Sequence, residues 1–361
     1  MNTRNAPANA KNVFWFDDGK SPNVADVLDE ATEIAMHRLE FDAPAAENWA
    51  VMRDAHVYCV TSTRDEVPDQ YKVHEALLRN CPNLLVVSAS GAGYDPVDVD
   101  ACTAAGVLVV NQSGANAEAV AEHAAGMMLA LTKKMFETDR FLRRERGIAR
   151  ETFKGWNVEG KTLGIVGLGN TGRRMARICG LGLGMTIIAY DPYLTGGEIH
   201  QRGATACDFP SLVTQSDYIS VHCPYSTETK DMFNDETIGL MKRSAFLINC
   251  ARGGITNELA LAKALDEEQL AGAALDVWDV EPPPMDHPLL QFDNFIATYH
   301  TAGVTYDSRE NMATWNAEQV RDILRGEHPP RLINPQAWDA FAARFETLFK
   351  HPVGDTSPTT S

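Results

Sequence analysis

The 361-residue sequence predicts an α/β fold built on parallel sheets, with chain enough for two domains that each bury a core. Two observations carry this. Short β-rich runs alternate with helical patterns along most of the chain, and that alternation places parallel strands in a sheet covered by helices on both faces. Within it, Lys161 to Asp191 reads as strand, glycine-rich turn, helix and strand.

In chain order, residues 1 to about 11 are small and polar and are expected to be a disordered lead. Val13–Phe16, His56–Val60, Leu84–Ser88 and Val107–Val110 read as strands, with a helical pattern at Tyr71–Arg79. Gly91-Ala92-Gly93-Tyr94-Asp95 follows the strand at Leu84–Ser88. Such a turn at the carboxyl end of a parallel strand is where open α/β sheets bind ligands, and its N–H groups could hold a carboxylate. An ordinary tight turn is the alternative. Asn116 to about Arg143 reads as one long helix, with Asn116 as N-cap and Glu118 and Glu122 toward its positive end. It is longer than a small domain needs, so it links domains, meets a second copy, or is a plain core helix.

In the central unit, Leu163–Val166 is the strand, and Gly167, Gly169 and Gly172 form G-x-G-x-x-G. The first glycine allows a tight turn, the second lets the backbone approach a pyrophosphate, and the third lets helix pack on strand. Free N–H groups at the helix start favour phosphates. Thr186–Tyr190 is the second strand, and Asp191 follows it, 19 residues after Gly172. There a carboxylate bonds ribose hydroxyls and repels a 2′-phosphate. Pro192 and Tyr193 come next, with no Arg or Lys to welcome one, so the expected cofactor is NAD(H), in a Rossmann-like domain.

The alternation then resumes, with strands at Tyr218–Cys223, Ala245–Cys250, Gly272–Val277 and Phe295–Tyr299. Helices are expected near Phe209–Thr214, Asp235–Met241, Asn257–Glu267 and Asp307–Arg325, and a Pro/Ser/Thr tail follows about Pro352. Polar residues sit at three predicted strand ends: Arg252 in NCARGG, Asp276 and Glu281 in ALDVWDVEPP, and His300 in YHTAG. Such ends are where reacting groups belong. Taken singly, Arg252 could be a surface charge, Glu281 a turn residue and His300 a core histidine.

A formal net charge of −17 argues against a nucleic-acid partner. Seven cysteines, scattered without C-x-x-C spacing, read as reduced core thiols in a cytoplasmic protein, and no metal is expected. The N-terminus has no apolar signal core. The most apolar helical stretch, Ala119 to Leu131, is too short to span a bilayer, so no membrane partner is expected.

Seven motifs now stand in order: VSASGAGYDPVDVDACTAAGV, NAEAVAEHAAGMMLAL, GLGNTGR, VHCP, NCARGG, ALDVWDVEPP and HTAG. From Leu84 to Gly326 the chain resembles the D-isomer-specific 2-hydroxyacid dehydrogenase family, which includes phosphoglycerate dehydrogenase and glyoxylate/hydroxypyruvate reductase. The resemblance implies two Rossmann-like doubly wound domains with the active cleft between them. It assigns 1–115 and 303–361 to a discontinuous substrate-binding domain, 116–302 to an inserted NAD-binding domain, and the protein to a homodimer. The implied reaction is hydride transfer between the nicotinamide and C2 of a small 2-hydroxy or 2-oxo acid.

Residue roles carry over by motif. Arg252 would bind the substrate carboxylate and polarise the C2 oxygen, a task that suits a planar cation with several donors. His300 would be the acid/base. Glu281 would orient its ring and raise its pKa. Asp276 would contact the nicotinamide carboxamide, and Asn170 and Thr171 would offer N–H groups to the pyrophosphate. Cys223, Pro224, Cys250, Ala251, Arg252, His300 and Ala302 would line the cofactor groove. Ala92 and Gly93 would bind the substrate carboxylate.

Two positions depart from the family pattern. Tyr299 stands where proline usually precedes the histidine, so the loop is set differently or Tyr299 lines the pocket. Ala89 or Ser90 stands where phosphoglycerate-specific members carry arginine, which disfavours that substrate. A second reading comes from the NAD(H)-sensing corepressor branch of the superfamily, whose members keep the Arg/Glu/His set.

Overall fold

The structure is a computed structural model that describes residues 10–16, 28 and 33–354. Most of the expected polar lead and of the tail therefore falls outside the described residues, although Lys11 already belongs to a strand. The chain divides into two compact units, Met1–Asn116 with Tyr306–Ser361, and Ala117–Thr305.

The first unit carries β1 (Lys11–Phe16), β2 (Ile34–Leu39), β3 (Val57–Thr61), β4 (Val86–Ser90) and β5 (Leu108–Val110). They form one parallel sheet in the order β2-β1-β3-β4-β5. Successive strand residues point to opposite faces. Phe14, Tyr58, Val60 and Val87 thus enter one core with Met52, Tyr71 and Leu77. Val13, Val57, Cys59 and Val86 enter the other, against Val320 and Ile323 of helix Tyr306–Leu324 and Phe341 and Phe345 of helix Trp338–Phe349. Phe14 and Tyr58, paired in register, stack with ring centroids 4.3 Å apart. Two elements were not expected: β2, whose IAMHRL breaks the apolar run with two polar residues, and helix Trp338–Phe349. β4 begins two residues later than expected, because Leu84 and Leu85 are buried without belonging to the strand.

The second unit carries β6 (Thr162–Val166), β7 (Thr186–Tyr190), β8 (Thr205–Ala206), β9 (Tyr218–Val221), β10 (Phe246–Asn249), β11 (Gly272–Leu275) and β12 (Phe295–Ala297). All pairings are parallel, in the order β12-β11-β10-β9-β6-β7-β8. From β6 the chain builds outward to β8, then returns to β9 on the other flank of β6. The strand order reverses between β6 and β9, and the crevice beyond their carboxyl ends is where such sheets bind ligands.

The single helix expected over 116–143 is two helices, Ala117–Thr132 and Met135–Arg144, separated by Lys134 in a left-handed conformation at φ 51°. The carbonyl of Thr132, which a continuing helix would bond four residues on, instead accepts the Trp156 N–H at 3.0 Å. The Thr132 hydroxyl bonds back to the Met128 carbonyl at 2.7 Å, a contact that bends helices. The first helix is largely buried in the sheet's core, whereas the second buries no residue. No helix among the described residues is long and apolar enough to cross a membrane.

Candidate active site

The glycine-rich turn leaves β6 and enters helix Asn170–Arg177 with Gly169 as N-cap. Gly169, the N-cap, has no side chain to cap that helix, and the first turn is where a phosphate would meet helix N–H groups. A Cβ on Gly172 would lie 2.1 Å from the Gly167 carbonyl oxygen, so only glycine lets the helix pack this closely on the turn. A Cβ on Gly169 would meet no protein atom within 4 Å, which leaves that backbone open to a ligand. The Asp191 carboxylate is fixed by the N–H of Leu168 at 2.9 Å and of Tyr193 at 3.1 Å, one to each oxygen. Each oxygen keeps a lone pair for a ribose hydroxyl. Open backbone, uncapped amides and a fixed carboxylate fit a dinucleotide.

Beyond β9, Cys223 is part-buried, and burial pushes its thiol up to about 11. The Pro224 carbonyl accepts the Thr229 hydroxyl at 2.8 Å. Beyond β10, the turn that carries Arg252 is organised by Asn249, a buried residue absent from the sequence-based candidates. Its amide oxygen accepts the Ala251 N–H at 2.9 Å, and its amide nitrogen donates to the Arg252 carbonyl at 3.0 Å and the Thr256 hydroxyl at 3.3 Å. The Arg252 guanidinium donates to the Ala251 carbonyl at 2.7 Å. Ala251 thus uses both main-chain groups inside the turn. Cys250 is buried, with its Sγ 3.8 Å from Met127 Sδ.

At the ends of β11 and β12, Nδ1 of His300 lies 2.7 Å from Oε2 of Glu281. The other carboxylate oxygen accepts the Trp278 N–H at 2.9 Å. Burial works to raise the Glu281 carboxyl. The hydrogen bond and charge of His300, the Trp278 amide and the Arg252 charge outweigh it and hold the carboxyl below the usual range. Glu281 is therefore an anion at neutral pH, placed to fix the imidazole ring by one nitrogen and leave the other directed away from it.

Asp276 holds the same loop from beneath. It is fully buried. Its Oδ1 accepts the Thr298 hydroxyl at 2.6 Å and the Thr301 N–H at 2.8 Å, and its Oδ2 accepts the Ala302 N–H at 2.8 Å. The Ala302 amide is thus taken up by Asp276. Three further residues that sequence reasoning missed complete the support. Trp278 donates its indole N–H to the Thr298 carbonyl at 3.0 Å, and Nε2 of His123 lies 3.3 Å from the Thr298 hydroxyl. Tyr299 is 76% exposed. In the first unit, the Ala92 carbonyl accepts the Asn111 amide at 2.7 Å, and the N–H groups of Ala92 and Gly93 have no partner among the described residues. Ala89 is buried, and Ser90 Oγ accepts the Asn316 amide at 3.1 Å.

Residues 125–302 match the model of the D-isomer specific 2-hydroxyacid dehydrogenase NAD binding domain. A glyoxylate reductase from Thermofilum pendens is 34% identical over 281 residues, covering 73% of this chain and 79% of that protein. The chain belongs to the D-isomer-specific 2-hydroxyacid dehydrogenase family. A D-3-phosphoglycerate dehydrogenase from Archaeoglobus fulgidus is 37% identical over 260 residues, 72% of this chain and 49% of that protein. The chain spans about half the length of the phosphoglycerate dehydrogenases it matches first, at 49%, 50% and 46%. Among solved structures, a D-lactate dehydrogenase from Aquifex aeolicus complexed with NAD and lactic acid matches with a TM-score of 0.76 at 26% identity, over 90% of this chain and 99% of that one.

Proposed function

We propose that the protein is an NAD-dependent 2-hydroxyacid dehydrogenase, moving a hydride between the nicotinamide and C2 of a small 2-hydroxy or 2-oxo acid. The observation that carries this is the 2.7 Å contact between Glu281 and His300 on a buried carboxylate scaffold, in the unit that holds the glycine-rich turn. Bound NAD(H) would supply or accept the hydride. His300 gives a proton from its free ring nitrogen to the C2 oxygen in reduction and takes it back in oxidation. Glu281 keeps the ring oriented through its contact with Nδ1. Arg252 binds the substrate carboxylate and polarises the C2 oxygen. Ala92 and Gly93 offer their N–H groups, which have no partner among the described residues, to a carboxylate, and Asp276 is assigned to the nicotinamide carboxamide.

The substrate is proposed to lack a phosphate, since no cation occupies the Ala89–Ser90 position. A homodimer is proposed on the exposed Met135, Phe136, Leu142 and Trp156, which lie on and near the unburied helix Met135–Arg144. A cytoplasmic setting is proposed on the seven reduced thiols.

The test is loss of NADH absorbance with glyoxylate, hydroxypyruvate, pyruvate, longer 2-oxo acids and phosphohydroxypyruvate. Turnover of a non-phosphorylated acid supports the proposal. Tight NADH binding without turnover on any acid overturns it.

A further inference from the structure

In the second unit, β6 lies between β7 and β9. The loops that leave β7 and β9 therefore flank the glycine-rich turn that leaves β6. Tyr193, on the loop after β7, donates its hydroxyl to Oε2 of Glu228, on the loop after β9, at 3.2 Å. The contact joins the two loops across the mouth of the turn. The same residue donates its backbone N–H to Asp191 Oδ1 at 3.1 Å. One residue thus ties together the two carboxylates on the adenosine side of the site.

Burial does not place Tyr193, which is 80% exposed; its hydroxyl contact does. Glu228 rides on a turn stiffened from within. The Ser226 N–H donates to the Thr229 hydroxyl at 2.8 Å, the Glu228 N–H to the Ser226 hydroxyl at 3.2 Å, and the Lys230 N–H to the Ser226 carbonyl at 2.9 Å. Both negative charges reach the phenol. The hydrogen bond and charge of Glu228 raise its pKa, and Asp191 adds to the rise.

We infer that Glu228, held by Tyr193, is a second determinant of NAD over NADP, acting beside Asp191 by placing a further negative charge where the 2′-phosphate of NADP would sit. The inference rests on the NAD-binding reading of this turn. A ribose hydroxyl is indifferent to that extra charge, whereas a phosphate of about −1.5 to −2 is repelled by it. Two cations favour the phosphate. Arg202 donates to the Leu168 carbonyl at 2.8 Å, beneath the turn, and Lys230 is exposed two residues beyond Glu228. Removing the Glu228 charge leaves both less opposed. Because the carboxylate is exposed, salt screens its effect.

The experiment is calorimetric titration of the full chain with NADH and with NADPH, in wild type, Glu228→Gln, Glu228→Lys and Tyr193→Phe. The ratio of the NADPH to the NADH dissociation constant should fall about 3- to 10-fold in Glu228→Gln at low salt, and further in Glu228→Lys. Tyr193→Phe, which keeps the ring and frees the carboxylate, should lie between wild type and Glu228→Gln. Raising the salt to about 0.5 M should shrink the gain. A ratio unmoved in both Glu228 variants, or a gain that persists undiminished in salt, overturns the inference. A Tyr193→Phe ratio equal to wild type removes the tyrosine from it. A wild type that binds neither nucleotide overturns the cofactor reading itself.

Discussion

The backbone N–H of His300 donates to the main-chain carbonyl of Asp276 at 2.7 Å, while the Asp276 side chain takes the N–H groups of Thr301 and Ala302. His300 has φ 53°, a conformation that costs a non-glycine residue about 1 kcal/mol or more and persists only when its surroundings hold it. Three consecutive amides bound to one buried residue are that hold. Asp276 therefore sets where the His300 ring can reach, whatever it also does for a bound nicotinamide.

Replacing Asp276 with Asn turns one acceptor into a donor that faces existing donors. The variant should lose at least about 2 kcal/mol of stability, as expected for hydrogen bonds to a buried charged group. Its kcat should fall as the His300 loop loosens. Urea unfolding and steady-state rates check both. Stability and rate equal to wild type would show that the loop is held by something else.

Glu281→Gln should lower kcat by about tenfold or more, since the ring loses its anionic partner. It should also change how stability depends on pH. The Glu281 carboxyl titrates below its unfolded value, so the stability it contributes is present above pH ~4.5 and is lost as pH falls through the lower folded value. Unfolding curves of wild type and variant should differ most at neutral pH and converge in acid. A gap that stays constant down to pH ~3 would contradict the lowered Glu281 carboxyl.

Two glycines of one turn should behave differently. Gly172→Ala forces a methyl to within 2.1 Å of a backbone oxygen, and should destabilise the fold by about 1–3 kcal/mol or more. Gly169→Ala meets no protein atom, so stability should move by no more than ~0.5 kcal/mol. NADH should nevertheless bind about tenfold or more weakly, because the methyl fills the space left for the pyrophosphate. Thermal unfolding with NADH titration separates the two effects. Undiminished NADH affinity in Gly169→Ala would place the nucleotide elsewhere.

Asp191→Ala should weaken NADH about tenfold or more, the loss expected for hydrogen bonds to a carboxylate, and NADPH much less. Equal losses for both nucleotides would mean that Asp191 acts only through Leu168 and Tyr193, whose amides it holds.

The parallel α/β architecture, the glycine-rich turn with its acid, and the placing of Arg252, Glu281 and His300 beyond strand ends were legible in the chain itself; the roles proposed for those three come from the family resemblance. Each legible feature is written locally, as a short β-rich run, a fixed motif spacing or a polar residue at a strand end. What distance along the chain hides, only tertiary structure decided. The helix over 116–143 breaks because the Trp156 amide, far off in sequence, captures the Thr132 carbonyl. Asn249, Thr298, Trp278 and His123 carry no motif that marks them, since their task is to hold others in place. Asp276 is expected as a nicotinamide contact, and the fold gives it a further task as the anchor of the His300 loop. Tyr193 and Glu228 are 35 residues apart, and their contact exists because the strand order reverses between β6 and β9. Motifs record which chemistry is available; the hydrogen bonds that aim it join residues brought together only when the sheet forms.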